Sequence, residues 1–313
     1  MTPVPASHVL APGRSDGARA PAAPPAQAGR GPSGGPPAEW PGGAGTALSF
    51  AGGPGAPALA GRAGRGEAPA VVLVAHGSRD ARAAAATRAL ARSVAAARPG
   101  LDVRAAYLEH TAPSLDTALG AVSAGGHRAA AVVPLLLTAA YHHTVDIPSV
   151  LDRLRAGGVP LAARRAPVLG PAPGGTADPA LVAALCLRLA ETGKPYDALV
   201  LAAAGTRDAS ARSCVAAVAT ALGERLGMPC VPAYASAAAP GPGAAVAGLR
   251  ARGARRVAVA SYFLAPGLLH DRALASARAA GAVAASAPLG DAPELAALVL
   301  ARADAAVPLA PAG

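Results

Sequence analysis

Two apolar rhythms alternate along most of this chain. Short apolar runs such as VVLVA at 71–75 are the pattern of buried strands, and stretches with an apolar residue every third or fourth position are the pattern of helices. Val71–Ala75 predicts the first strand, and His76–Arg79 the polar turn that follows it. A helix is expected from Asp80 to Ala97, with Ala83, Thr87, Leu90, Val94 and Ala97 on one face and Arg88 and Arg92 on the other. Asp80, which recurs as Asp208, is expected to cap it, and Pro99–Gly100 ends it. Leu101–Leu108 reads as a second strand leading to Glu109, and a helix follows from Ser114 to the stop at Gly125–Gly126. Ala129–Leu137 is the third strand, and TAAYHHTV its polar loop. A third helix over Ile147–Arg155 is expected to start on an Asp146 cap with Pro148 in its first turn. Val159–Ala166 and Pro179–Glu191 complete a strand and a helix. Strand and helix thus alternate four times, which implies a mainly parallel sheet covered on both faces.

The unit then recurs. ALVLAAAGTRDASA echoes VVLVAHGSRDARA, PCVPAYASAAAPG echoes LDVRAAYLEHTAPS, and RRVAVASYFLAPGLLHD echoes RAAAVVPLLLTAAYHHTVD, at an offset of 127 or 128 residues. The final stretch AVAASAPLGDAPELAALVLARA echoes the fourth strand and helix, and four segments repeated in order indicate a duplication. The expected architecture is α/β, with two tandem flavodoxin-like three-layer α/β/α domains at 69–194 and 195–309, each on a mainly parallel four-stranded sheet. Residues 1–68 are rich in Gly, Pro and Ala and lack either rhythm, so a disordered tail is expected, with Trp40 its largest side chain.

Composition narrows the function classes. The chain is 52% hydrophobic but only 3% aromatic, so Ala, Val and Leu fill the core. The net charge of +10 is carried almost wholly by arginine and favours an anionic partner. Those arginines are scattered without aromatic interleaving, which argues against nucleic acid. Cys186, Cys214 and Cys230 include no CxxC spacing, so neither a zinc knuckle, nor a disulfide framework, nor an iron–sulfur centre is suggested. No long unbroken apolar run predicts a membrane span, and the start of the chain lacks a signal-peptide pattern, so a cytoplasmic protein is expected.

Potential ligands follow three strands of the first unit: His76, Glu109, and the pair His142 and His143. Parallel strands open their C-terminal ends on one edge, where α/β sheets bind ligands, so residues distant in sequence can converge there. Two imidazoles and a carboxylate suit a divalent first-row metal, and an imidazole can also accept a proton. His142 is the better-placed member of its pair, and His143 is expected in a loop or behind the ligands. Ser78, Arg79 and Arg82 are expected at the mouth, where an arginine can clamp substrate carboxylates. The HGSR turn lacks the spacing of a phosphate-binding loop, so no nucleotide is expected. In the second unit Ala204 replaces His76, Ser236 replaces Glu109 and Leu269 replaces His142. Only His270 survives, opposite His143, and the alternatives are a fold retained without its site or a cleft shared with His270.

The stretches VAHGSRDARA, AYLEHTAPS and VPLLLTAAYHHTVDIP resemble the class II tetrapyrrole chelatases, the sirohydrochlorin cobaltochelatases and ferrochelatases of the CbiX/SirB type, in their two-domain form with a degenerate second copy. The last stretch is the most specific, with His142 four residues before Asp146-Ile147-Pro148. The resemblance implies a lyase that inserts Co²⁺ or Fe²⁺ into sirohydrochlorin without ATP, for cobalamin or siroheme. It places His76, His142 and Glu109 as metal-handling and catalytic residues, with Ser78 and Arg79 toward the tetrapyrrole carboxylates. Ala140 stands where Gly is common in that family. One active centre per chain, in a monomer or weak homo-oligomer, is expected. The alternative from residue chemistry is a metal-binding carrier without macrocycle chemistry.

Overall fold

The computed structural model describes residues 68–138 and 141–309, all within one compact unit, and of residues 141–145 it describes the helical backbone alone. The expected tail and Trp40 lie outside the described residues. The first repeat consists of β1 (Ala70–Ala75), α1 (Ala81–Ala97), β2 (Val103–Tyr107), α2 (Leu115–Ala124), β3 (Ala129–Pro134), α3 (Tyr141–Ala156), β4 (Ala162–Arg165) and α4 (Pro179–Ala190). The second consists of β5 (Ala198–Ala203), α5 (Ala209–Leu226), β6 (Cys230–Tyr234), α6 (Pro242–Ala251), β7 (Val257–Tyr262), α7 (Leu268–Ala279), β8 (Ala284–Ala285) and α8 (Pro293–Ala306).

Each repeat builds a four-stranded, all-parallel sheet, in the orders β2-β1-β3-β4 and β6-β5-β7-β8. The most apolar strands, β1 and β5, lie inside their sheets, where both faces are covered. Charged residues sit on the edges, with Arg104 on β2 and Arg164 and Arg165 on β4, where they discourage pairing with another chain. Asp80 caps α1 by accepting the Arg82 N–H, and Asp208 caps α5 in the same way from Ser210, as the sequence predicts.

β2 and β4 are shorter than expected, starting two and three residues later, and two further boundaries differ nearer the site. β3 stops at Pro134 instead of Leu137, because the Leu136 N–H turns back to the Pro134 carbonyl at 2.9 Å and leaves the ladder. α3 begins at Tyr141, so Asp146 is no cap and Pro148 lies inside the helix. A proline removes only its own N–H from the helical ladder and conflicts with one carbonyl a turn earlier, so a helix begun upstream can run through it. His142 therefore belongs to a helix and not to a loop.

A single core joins the two repeats. α2 and α3 cover the outer face of the first sheet, and α6 and α7 that of the second. Between the sheets lie α1, α4, α5 and α8. Here the last helices are exchanged: α8 packs on β3 and α1 of the first repeat, and α4 packs on β7 and α5 of the second. Polar ties reinforce the exchange. Arg98, at the C-cap of α1, grips the Asp304 carboxylate on α8 through two bonds of 2.8 Å. Arg302 donates to the Val168 carbonyl at 3.0 Å and to Asp178 at 3.2 Å.

Candidate functional site

The β1 and β2 ends define the site. Their parallel register outlasts the strands, since the Leu108 N–H donates to the Ala75 carbonyl at 3.1 Å and the Glu109 N–H to the His76 carbonyl at 2.9 Å. This ladder sets His76 beside Glu109, with Nε2 and Oε2 4.0 Å apart. Both side chains are more than half exposed, at 57% and 56%, so a ligand can reach them. The two loops touch at the backbone. Gly77 has φ of +95°, and a Cβ there would lie 1.7 Å from the Glu109 carbonyl oxygen, so only glycine fits.

His110 is a third side chain at the site, one that the strand-end pattern does not single out. Its Nε2 lies 3.3 Å from Glu109 Oε2, so Glu109 stands between two imidazoles. Its place directly after Glu109, and the alanine at the matching position 237, were the available signals. The backbone at both positions is left-handed, with φ of 59° at His110 and 62° at Ala237, so that conformation belongs to the fold and not to the histidine.

The side chains of His142 and His143 lie outside the described residues, although their backbone opens α3 beyond the same sheet edge. Among the described residues, no group of three or more His, Cys, Asp or Glu side chains is arranged to hold a metal ion. The Ser78 hydroxyl is half-buried and accepts the Asp80 N–H at 3.0 Å, while Arg79 is exposed. Arg82, expected at the mouth with them, is engaged by carboxylates from both repeats. It bonds Asp80 on its own side and, at 2.6 Å, Asp271 of α7. These bonds hold both carboxyls below their ordinary range.

The second repeat keeps the loops and drops the candidate ligands. Gly205 has φ of +98°, and the Ser236 hydroxyl donates to the Ala204 carbonyl at 2.8 Å. His270 is only 7% exposed. Its ring stands edge-on to Phe263, with Nε2 3.4 Å from the buried Ser261 Oγ and Nδ1 3.3 Å from Asp271. It therefore faces the interior of its own repeat, and burial lowers its pKa from the ordinary value. None of the three cysteines is disulfide-bonded. Burial raises all three thiols, Cys230 to about 12, which disfavours the thiolate a metal needs.

A cavity of about 250 Å³ lies between the repeats at the strand ends. Leu135–Thr138 wall it on one side, and Ala203–Thr206, Tyr262 and Phe263 on the other. A larger hollow of about 980 Å³ opens at the opposite, N-terminal edge of the first sheet, beside Asp102 and His127 and away from the candidate ligands. No helix among the described residues is long and apolar enough to cross a membrane.

Sequence comparison decides the family, because the CbiX profile matches twice, over residues 70–192 and again over 198–306. The chain belongs to the CbiX family. Both halves of this CbiX-family protein match, including the one that lacks the candidate ligands. No curated protein sequence matches it. Among solved structures, SirB from Bacillus subtilis with Fe³⁺ is 24% identical, with a TM-score of 0.65 over 77% of this chain and 96% of that one. SirB from Bacillus subtilis subspecies spizizenii in complex with cobalt is 22% identical, with a TM-score of 0.62 over 76% and 95%. CbiX, described as the terminal enzyme for siroheme biosynthesis in denitrifying bacteria, is 23% identical, with a TM-score of 0.53 over 76% and 99%. At these identities the likeness establishes a shared fold.

Proposed function

We propose that this protein is a sirohydrochlorin chelatase, a lyase that places Co²⁺ or Fe²⁺ in the macrocycle without ATP. The observation that carries this reading is the exposed His76–Glu109 pair, 4.0 Å apart at one strand edge of a CbiX-family chain. The metal is a substrate, so it must be held and then surrendered. A small ligand set with open coordination positions suits that task better than a closed cage. Insertion releases the two inner N–H protons as the ion becomes bound by all four nitrogens of the dianionic macrocycle, and each departing proton needs an acceptor.

His76 and His142 are assigned to hold the incoming ion and accept those protons, and Glu109 to assist both steps. His110, next to the same carboxylate, is suited to pass a proton on to solvent. The macrocycle is assigned to the cleft between the repeats, against the apolar wall of the cavity there. Arg79 is exposed and available to the substrate carboxylates, and Ser78 can still donate its hydroxyl proton to one. The second repeat, with Ala204 and Ser236 at the ligand positions, closes the cleft and supplies no second centre. The remaining assignments follow from this reading: a cytoplasmic enzyme, a monomer or weak homo-oligomer, with no nucleotide and no iron–sulfur cluster.

The test is anaerobic insertion of each metal into sirohydrochlorin, followed by its absorption shift, with wild type, His76→Ala and His142→Ala. Wild type is expected to metallate the macrocycle and both variants to lose the activity. Wild-type metal binding with no absorption shift would reject the chelatase in favour of a carrier. Unaltered insertion by both variants would remove the assigned site.

A further inference from the structure

The loops after β1 and β2 are joined by one side chain in each repeat, and the two repeats use different side chains. In the first, Thr111 Oγ1 accepts the Ser78 N–H at 3.3 Å and donates to the Ser78 carbonyl at 3.1 Å. One hydroxyl thus satisfies both backbone groups of the residue two beyond His76. The Thr111 N–H in turn donates to the Glu109 carbonyl at 2.7 Å. In the second repeat Ala238 stands at the matching position and keeps only the backbone bond, to the Ser236 carbonyl at 2.8 Å. There the loops are joined by Ser236 itself, through the Ala204 carbonyl, and Arg212 takes the Thr206 carbonyl at 3.2 Å.

Ser236 is the counterpart of Glu109. In the second repeat, then, the cross-link is made by the residue at the ligand position. In the first it is made two residues later, which leaves the Glu109 side chain free to face His76 and His110. The fold does not require the threonine, because Gly205 and Ala237 hold the same backbone conformations as Gly77 and His110 without it. We infer that Thr111 is a positioning residue for the metal-handling pair, a clasp that holds the His76 and Glu109 loops at working separation while leaving the Glu109 carboxylate free. This rests on the proposed reading of His76 and Glu109 as metal-handling groups.

Thr111→Val removes the hydroxyl at almost constant volume, Thr111→Ser retains it, and Ser236→Ala removes the counterpart link from the repeat without ligands. Co²⁺ alone is titrated into each protein, and insertion into sirohydrochlorin is measured separately. Thr111→Val is expected to bind Co²⁺ about 10-fold more weakly and to raise the KM for metal accordingly, the scale seen when an outer-shell partner of a metal ligand is lost. Thr111→Ser restores both values. Ser236→Ala loses a comparable few degrees of Tm and leaves both unchanged. Co²⁺ affinity of Thr111→Val equal to wild type, failure of serine to rescue, or an equal effect of Ser236→Ala would each overturn the inference. If wild type binds Co²⁺ but inserts none, the chelatase reading falls, and a weakened Thr111→Val titration still supports the clasp.

Discussion

At the scale of single residues, charge and close packing act separately. Glu109→Gln preserves shape but turns one acceptor oxygen into an N–H donor and removes the negative charge between His76 and His110, and is expected to lower kcat/KM for the proposed insertion by about 100-fold with Tm unchanged. Steady-state kinetics with either metal checks this. His270 makes the opposite case, since its effect is on stability. Burial lowers its folded pKa below the ordinary 6.5, so as pH falls below that value the unfolded chain takes up the proton first. Stability is therefore expected to decline as pH drops from about 6.5 toward the folded value, and urea melts of wild type and His270→Gln at pH 7.5 and 5.5 should show the decline in wild type alone. The carboxyls of Asp102 and Asp304, lowered chiefly by hydrogen bonds from Arg104 and Arg98, add a second decline below the ordinary carboxyl value of 3.8. His76 and Glu109 were legible as residue types at strand ends. Their neighbour His110 was not, because its relevance depends on a left-handed backbone that swings it beside Glu109.

At the scale of elements, sequence rhythm located strands and helices well and their ends less well. The caps at Asp80 and Asp208 could be read directly, since a carboxylate before a helical run has one local use. Asp146 offered the same local signal at the wrong place, because α3 had already begun at Tyr141. Glycine at the strand–helix turns is the sharper constraint. Gly77→Ala would bring a Cβ to 1.7 Å from the Glu109 carbonyl oxygen, and Gly205→Ala to 1.9 Å from that of Ser236. Each is expected to destabilise by about 3 kcal/mol or more in urea unfolding, through strain at a positive φ and displacement of the neighbouring loop. Only the first of the two moves residues proposed to handle the metal, so Co²⁺ binding by whatever folded protein remains should suffer in Gly77→Ala far more than in Gly205→Ala.

At the scale of the whole molecule, the exchanged helices make the repeats interdependent. α8, which packs on β3, buries Leu295, Leu298 and Val299 in the shared core, each worth about 1.5–3 kcal/mol on burial. A chain ending at Gly290 would therefore expose the apolar face of β3, at the opposite end of the sequence from the deletion. Residues 69–194 expressed alone are expected to aggregate, and co-expression with 195–309 to restore a soluble complex, as size-exclusion chromatography would show. Stable, monodisperse 69–194 would mean that α4 can fold back onto its own sheet.

The alternation of strands and helices, the duplication, the absence of candidate ligand types from the second copy, and the strand ends where chemistry could sit are all legible along the chain. These depend on local periodicity and on comparison of one half with the other, both of which can be read along a line. Which sheet each last helix covers, which hydroxyl joins the β1 and β2 loops, and the inward turn of His270 emerge only once the chain is folded. An apolar helix face fits either sheet equally well until both exist, and a hydroxyl has no visible partner until the backbone brings one to it.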